Sequence, residues 1–339
     1  MIAVVKSSAT EEQLSQFVSW IEGKGLSADI SRGNDETIVG LVGDTTRIDP
    51  FLVESMDIID RVQRVSEPFK KANRKFHPLD TVVDCGRGVL VGGGHFQVIA
   101  GPCSVEGENL LRIGRAVKEA GATMLRGGAY KPRTSPYSYQ GMGERGLDLL
   151  LEAREELDMP VVTEIMDPRD VQLFVDRRID VWQIGARNSQ NFPLLKEVGK
   201  TQAPVLLKRG LAGTVDELLM AAEYVMSEGN PNVIVCERGI RTFETRTRNT
   251  FDLNAVPVLH QLSHLPVCAD PSHATGYTRY VTPMALAATA AGADCLEIEV
   301  HDDPSHAWSD GAQALTPDQF RRAMARIAKV REAVTMEVD

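Results

Sequence analysis

The sequence contains no C-x-x-C pair, and its cysteines are odd in number: Cys85, Cys103, Cys236, Cys268 and Cys295. That excludes a disulfide framework and predicts a reduced, cytoplasmic protein. No apolar run reaches membrane-spanning length, and the opening MIAVVKSSATEEQ is too short an apolar stretch for a signal peptide. Positive charge is in deficit, with 47 acidic against 37 basic residues and a net charge of −10. Such a balance repels nucleic acid and anionic membranes, so neither is expected as a partner. Against it stands one local exception, LRGGAYKPRTSPY at 125–137, where Arg126, Lys131 and Arg133 crowd among Gly, Pro, Ser and Thr. The breakers deny this segment a long helix or strand. It is either a solvated loop or a site for an anion.

With 339 residues the chain has length for one large core and a small companion domain. Residues 1–66 form the companion. MIAVVK predicts a strand, and Thr10 with Gln13 makes a capping box opening an amphipathic helix through Lys24. LSADIS and ETIVGLVG alternate as two strands joined by a turn at Arg32-Gly33-Asn34-Asp35. Asp49-Pro50 starts a second helix, and VQRVSE closes as a strand. The order βαββαβ is that of a ferredoxin-like unit, and with neither His nor Cys it offers no chemistry. Residues 67–95 are basic, then Gly-rich, which predicts a connector with a solvated KKANRK run followed by a small hairpin.

From residue 97 short apolar runs recur, each followed by a helical segment: QVIAGP, ATMLRGG, PVVTEIM, VWQIGAR, PVLLKRG, VIVCERG, LPVCADP and CLEIEVH. Eight βα units predict a (β/α)₈ barrel over 96–339. An open doubly wound sheet is the alternative, but no G-x-G-x-x-G turn follows the first strand.

Reactive side chains fall in phase at the strand ends: Cys103, Arg126, Glu164, Arg187, Lys208, Arg238, His273 of DPSH, and Glu297 and Glu299 ahead of His301. In a barrel these are the C-terminal mouths, where βα loops build active sites. Singly, each has an ordinary explanation, such as a surface ion pair, a small buried hydrophobe or a turn residue. Jointly they form two sets. Cys103, His273, Glu299 and Asp310 offer sulfur, nitrogen and oxygen ligands from neighbouring strands one, seven and eight, a mixture suited to Mn²⁺, Fe²⁺, Co²⁺ or Zn²⁺ more than to Mg²⁺ or Ca²⁺. Glu297, on the same strand as Glu299, is the rival carboxylate. Arg126, Lys131, Arg187, Lys208 and Arg238 form a cationic wall for a small, multiply charged anion, and Arg133-Thr134-Ser135 could hold a second phosphate.

GPCSVE, LRGGAYKPRTSPYSYQG, IGARNSQN, LLKRG, CERGIRTFE and DPSHATG, in that order, closely resemble the 3-deoxy-D-arabino-heptulosonate 7-phosphate (DAHP) synthases, in the subfamily with a ferredoxin-like, ACT-like domain ahead of the barrel. The resemblance covers both domains. It implies condensation of phosphoenolpyruvate with erythrose 4-phosphate, the first step of the shikimate pathway to aromatic amino acids. It also implies a bound divalent ion, Mn²⁺ foremost, on Cys103, His273, Glu299 and Asp310, and so chooses Glu299 over Glu297. Arg126, Lys131, Arg187, Lys208 and Arg238 would hold phosphoenolpyruvate, with Arg187 and Arg238 on its phosphate and Lys131 and Lys208 nearer its carboxylate. Arg133 and Thr134 would take the phosphate of erythrose 4-phosphate, Glu164 would stand near the attacking water, and Lys131 could protonate the emerging alkoxide. A homotetramer, and feedback by an aromatic amino acid at the N-terminal domain, are further family expectations.

The nearest alternative is 3-deoxy-D-manno-octulosonate 8-phosphate synthase, whose sugar-phosphate loop has Ala-Asn in place of Pro132; KPRTS favours the four-carbon substrate. The KANR at 71–74 resembles that other motif but precedes the barrel. A Schiff-base aldolase acting through Lys208 is a second alternative, its pKa lowered by surrounding cations. A third is a metabolite sensor that binds anions without turnover.

Overall fold

The computed structural model describes residues 1–33, 36–45, 48–63, 67–133 and 135–336. They divide into two compact units, residues 1–80 with 261–264, and the rest of the described chain.

In the small unit, β1 (Ile2–Val5), α1 (Glu11–Gly23), β2 (Ser27–Arg32), β3 (Thr37–Val42), α2 (Pro50–Glu54) and β4 (Ile59–Gln63) follow one another. The strands make an antiparallel sheet in the order β2-β3-β1-β4, the ferredoxin-like arrangement. The capping box forms as its spacing predicts: Thr10 accepts from the Gln13 amide, and the Gln13 side chain accepts from the Thr10 amide. The last strand lies earlier than VQRVSE because Ile59, buried, pairs with Val5. Residues 64–66 of that expected strand, and Asn34-Asp35 of the expected turn, lie outside the described residues.

β1 does not alternate because both its faces are covered. Met1, Ala3 and Val5 pack with Leu14, Phe17 and Ile21, while Ile2 and Val4 pack with Ile38 and Phe76. Gly40 admits the Phe76 ring, since a Cβ there would lie 2.4 Å from Phe76 Cδ1. The KKANRK run is therefore no solvated linker. Ala72 and Asn73 are buried, Arg74 pairs with Asp80, and Lys75 pairs with Glu67. Residues 67–80 thus pack with the small unit, whereas the hairpin expected within the same connector belongs to the large one.

That hairpin is β5 (Val83–Asp84) and β6 (Leu90–Val91). The large unit continues with β7 (Gln97–Gly101), α3 (Asn109–Glu119), β8 (Met124–Arg126), α4 (Glu144–Leu157), β9 (Val161–Glu164), α5 (Val171–Asp176), β10 (Val181–Ile184) and α6 (Phe192–Gly199). It ends with β11 (Val205–Lys208), α7 (Val215–Ser227), β12 (Val233–Glu237), α8 (Ala255–Leu262), β13 (Val267–Ala269), α9 (Pro271–Thr275), α10 (Thr278–Ala290), β14 (Cys295–Glu299) and α11 (Pro317–Thr335). Strands β7 to β14 close into one parallel barrel, β14 pairing back on β7. The predicted (β/α)₈ architecture holds.

Val83, Cys85 and Val91 of the hairpin join one buried cluster with Ile99, Met124, Val162, Val181, Leu206, Ile234, Cys268 and Cys295. Those barrel residues come from the first halves of their strands or from their middles, so the hairpin plugs the N-terminal end. The opposite end carries the polar residues. Among the described residues no helix is long and apolar enough to cross a membrane.

Candidate active site

The D-P-S-H spacing places His273. Asp270 is the N-cap of α9 and Pro271 its first residue. Asp270 Oδ1 accepts from the His273 amide at 2.9 Å, and Oδ2 takes the Nδ1 hydrogen at 2.7 Å. A carboxylate cannot donate, so Nδ1 is the protonated nitrogen and Nε2 is left as a ligand atom. Nε2 lies 3.3 Å from Glu299 Oε1. The other Glu299 oxygen accepts from Gln313 Nε2 at 2.6 Å.

Cys103, just beyond β7, lies 3.3 Å from Asp310 Oδ2. Asp310 holds the left-handed conformation at φ 52°, a strained choice for a side chain with a Cβ, and one that strain at functional sites often explains. The donor atoms of Cys103, His273, Glu299 and Asp310 all lie within 4.8 Å of one another. Glu299 Oε1 is buried without a hydrogen bond. An orphaned carboxylate oxygen in a sulfur, nitrogen and oxygen set fits a borderline divalent ion. Burial and then the Glu299 carboxylate push the Cys103 thiol up to about 12. Cys236, Cys268 and Glu297 form a second close group. It differs from the first in that two cations, Arg126 and Lys208, take both oxygens of its one carboxylate, Glu297.

Beside the first cluster opens a cavity of about 470 Å³, lined by Lys131, Arg133, Glu164, Arg187, Lys208 and Arg238 together with His273 and Asp310. Lys131 reaches it by folding back over the two glycines. Its Nζ donates to the Cys103 carbonyl at 3.0 Å and lies 3.1 Å from the sulfur. A Cβ at Gly128 would come within 2.8 Å of Lys131 Cδ, so the second glycine makes that path. Arg238 is 7% exposed and donates to the Gly239 carbonyl. Among the described residues no carboxylate reaches its guanidinium, and burial pulls its pKa down. A buried cation without an anion is costly unless a ligand supplies one. Arg187 is exposed at the rim.

Glu164 faces the cavity with Oε1 unpartnered and Oε2 3.4 Å from Gln183 Nε2, and burial raises its pKa. Its room depends on Gly185, where a Cβ would stand 2.0 Å from Oε1. Gly185→Ala should therefore swing the carboxyl aside while leaving it in the protein. If Glu164 serves the chemistry, kcat drops about a hundredfold with little change in KM, the cost of roughly 1 Å of misplacement. An unchanged kcat in steady-state assays would show that Glu164 is a bystander.

Three expected residues stand apart. Arg126 does not line the cavity; it lies beneath it, 3% exposed, paired with Glu297 and Glu299. Lys208 lines the cavity yet is gripped by Asp270 and Glu297. Burial works against its charge, but these carboxylates carry its pKa well above the usual value, the reverse of the lowering expected from nearby cations. Thr134 lies outside the described residues.

Other lining residues escaped the sequence reading, chiefly Arg241 and Arg248. Both fall inside IRTFETRTRN, a loop with no strand end to mark them. Arg248 donates to Gln313 Oε1 at 2.7 Å and lies 3.2 Å from Asp310 Oδ1.

Over its whole length the chain is 46% identical to a Thermotoga maritima protein named phospho-2-dehydro-3-deoxyheptonate aldolase, covering 100% of both. A crystal structure of that enzyme from Thermotoga maritima, titled DAHP synthase, superposes with a TM-score of 0.78 at 45% identity, covering 100% of this chain and 99% of that one. A 2-dehydro-3-deoxyphosphooctonate aldolase from Syntrophobacter fumaroxidans is more distant, at 31% identity over 73% of this chain and 91% of its own. Residues 1–67 match the DAHP synthase ferredoxin-like domain, and with residues 71–336 matching it, the chain belongs to the DAHP synthetase I family.

Proposed function

We propose that this protein condenses phosphoenolpyruvate with erythrose 4-phosphate, releasing phosphate and forming DAHP. The observation that carries this is a cavity lined both by Arg238, a buried guanidinium with no carboxylate partner among the described residues, and by His273 and Asp310 of the Cys103–His273–Glu299–Asp310 group. The cavity's cations suit a doubly charged phosphate and a carboxylate. Arg187 and Arg238 would hold the phosphate, Lys131 and Lys208 the carboxylate, and Arg133, further out, the sugar phosphate together with Thr134. Arg126 would act from below, by fixing Glu297 and Glu299.

Cys103, His273, Glu299 and Asp310 would hold a divalent ion, Mn²⁺ before Co²⁺, Fe²⁺ or Zn²⁺, whose chemistry when bound is to polarise the aldehyde. The rest falls to the protein. Two polyanions that repel each other in water are held together by fixed cations, so positioning supplies much of the rate. Lys131 Nζ would deliver a proton to the new alkoxide oxygen. Glu164, its carboxyl biased toward the neutral form by burial, would orient the water that adds to the enol phosphate. Lys208 is an unfit Schiff-base nucleophile because two carboxylates keep it an ammonium.

A homotetramer and feedback by an aromatic amino acid at the small domain accompany this reading. The exposed Phe51 and Leu52 of α2 supply apolar surface that association would cover. A reducing, cytoplasmic setting suits five free, buried thiols.

Phosphate release should follow addition of phosphoenolpyruvate and erythrose 4-phosphate, stop with EDTA, and return with Mn²⁺. A five-carbon aldose phosphate consumed faster would favour the octulosonate alternative. Binding of both substrates without phosphate release would leave a sensor.

A further inference from the structure

Beneath the cavity six buried or half-buried groups link the ion site to the anion wall by two routes. Arg126 Nη1 meets Glu297 Oε1, Glu297 Oε2 lies 2.5 Å from Lys208 Nζ, and the same Nζ meets Asp270 Oδ2. Asp270 Oδ2 accepts from His273 Nδ1 at 2.7 Å, Glu299 Oε1 lies 3.3 Å from Arg126 Nη2, and the 3.3 Å gap between that oxygen and the unprotonated His273 Nε2 is where the ion site closes the circuit. Every member is at most 4% exposed in its side chain except His273 at 20%. Two of the six, His273 and Glu299, belong to the ion-binding group, and Lys208 belongs to the anion wall.

From this geometry we infer that Glu297 is a positioning residue, linking occupation of the ion site to occupation of the anion site. The inference rests on the function proposed above. Groups shared in pairs at low dielectric cannot be perturbed singly. An anion drawing on the third N–H of Lys208 loosens that ammonium's hold on Asp270. Asp270 then binds the Nδ1 hydrogen of His273 more tightly, and Nε2 becomes a stronger donor. From the other side, Glu299 turned to a divalent ion would leave Arg126. Arg126 turns more fully to Glu297, and Glu297 releases part of Lys208 toward the cavity. Both directions have the same sign, as linkage requires. Glu297 closes the second route between the sites, since without it Arg126 and Lys208 share no carboxylate.

The alternation of β14 explains why Glu297 is so placed. It stands two residues before Glu299 and so points to the same inner face. As a plain ligand it would compete with Glu299, but held between two cations it has no free charge to offer a metal.

Calorimetric titration with Mn²⁺, with and without saturating phosphoenolpyruvate and with no sugar phosphate, tests the coupling. In the unmodified protein phosphoenolpyruvate should tighten Mn²⁺ binding about tenfold or more, within the usual range of coupling between sites. Glu297→Gln keeps the volume and removes the charge. It should cut that ratio to about threefold or less, the remainder being the Asp270–His273 route and direct attraction between ion and anion. A ratio that stays intact in the variant overturns the inference, even if both affinities weaken, because a merely structural role would lower them in parallel. Should E297Q not fold, Arg126→Lys breaks the same route one link earlier, since one ammonium cannot bridge Glu297 and Glu299 as the guanidinium does, and carries the same expectation. An unmodified protein that makes product but binds Mn²⁺ equally well with and without phosphoenolpyruvate also overturns it. One that releases no phosphate from the two substrates instead sinks the proposed function.

Discussion

Serine at Cys103 should cut metal-supported turnover by about a thousandfold, roughly 4 kcal/mol of barrier. The sulfur is the one soft donor among the described residues of the cluster, and a serine hydroxyl neither ionises nor binds a borderline ion comparably. Neighbours offer poor relief. Ser309 Oγ, 3.2 Å from the sulfur, is another hydroxyl, and Asp310 already belongs to the set. Lewis-acid polarisation is worth several kcal/mol, so a weakened or misplaced ion accounts for a loss of this size. Steady-state assays across a Mn²⁺ titration decide it, and near-normal kcat at saturating metal would remove Cys103 from the ligand set.

Arg238→Met should do two opposite things. Phosphoenolpyruvate binding should weaken about a hundredfold, because charge-assisted hydrogen bonds from a buried guanidinium contribute about 1.5–3 kcal/mol each. The ligand-free protein should meanwhile become more stable by about 1 kcal/mol, with a melting temperature about 2 °C higher, since an unpaired buried charge is replaced by an apolar chain of similar length. Few substitutions stabilise a protein while disabling it, and those that do mark sites held in tension for function. KM measurements and thermal denaturation without substrate check the two halves. A fall in stability would mean that some other group compensates Arg238.

Much of this fold could be read from the chain because its signals are local. Eight apolar runs spaced by helices leave few parallel architectures, and the Thr10–Gln13 and Asp49-Pro50 signals act over three residues or fewer. The convergence of Cys103, His273, Glu299 and Asp310 was legible for a different reason, since barrel closure brings strand β14 beside β7 and the strand ends beside one another. What could not be read depended on packing across long separations. Glu297 and Glu299 share a face, so periodicity alone cannot choose between them. Arg126 looked like a wall residue until its two carboxylates were placed, and Lys208 looked depressed in pKa until Asp270 and Glu297 were found beside it. KKANRK looked solvated because its charges are plain in sequence, whereas the burial of Ala72 and Asn73 is not.

With Val83, Cys85 and Val91 closing the floor of a cylinder whose interior is already filled by side chains, anything that enters the cavity would use the opposite mouth. Lys208 and Arg238 sit deep, at 4% and 7% exposure, while Arg187 stands at the threshold. On the proposed function, phosphoenolpyruvate held at the bottom would have to enter before the sugar phosphate above it.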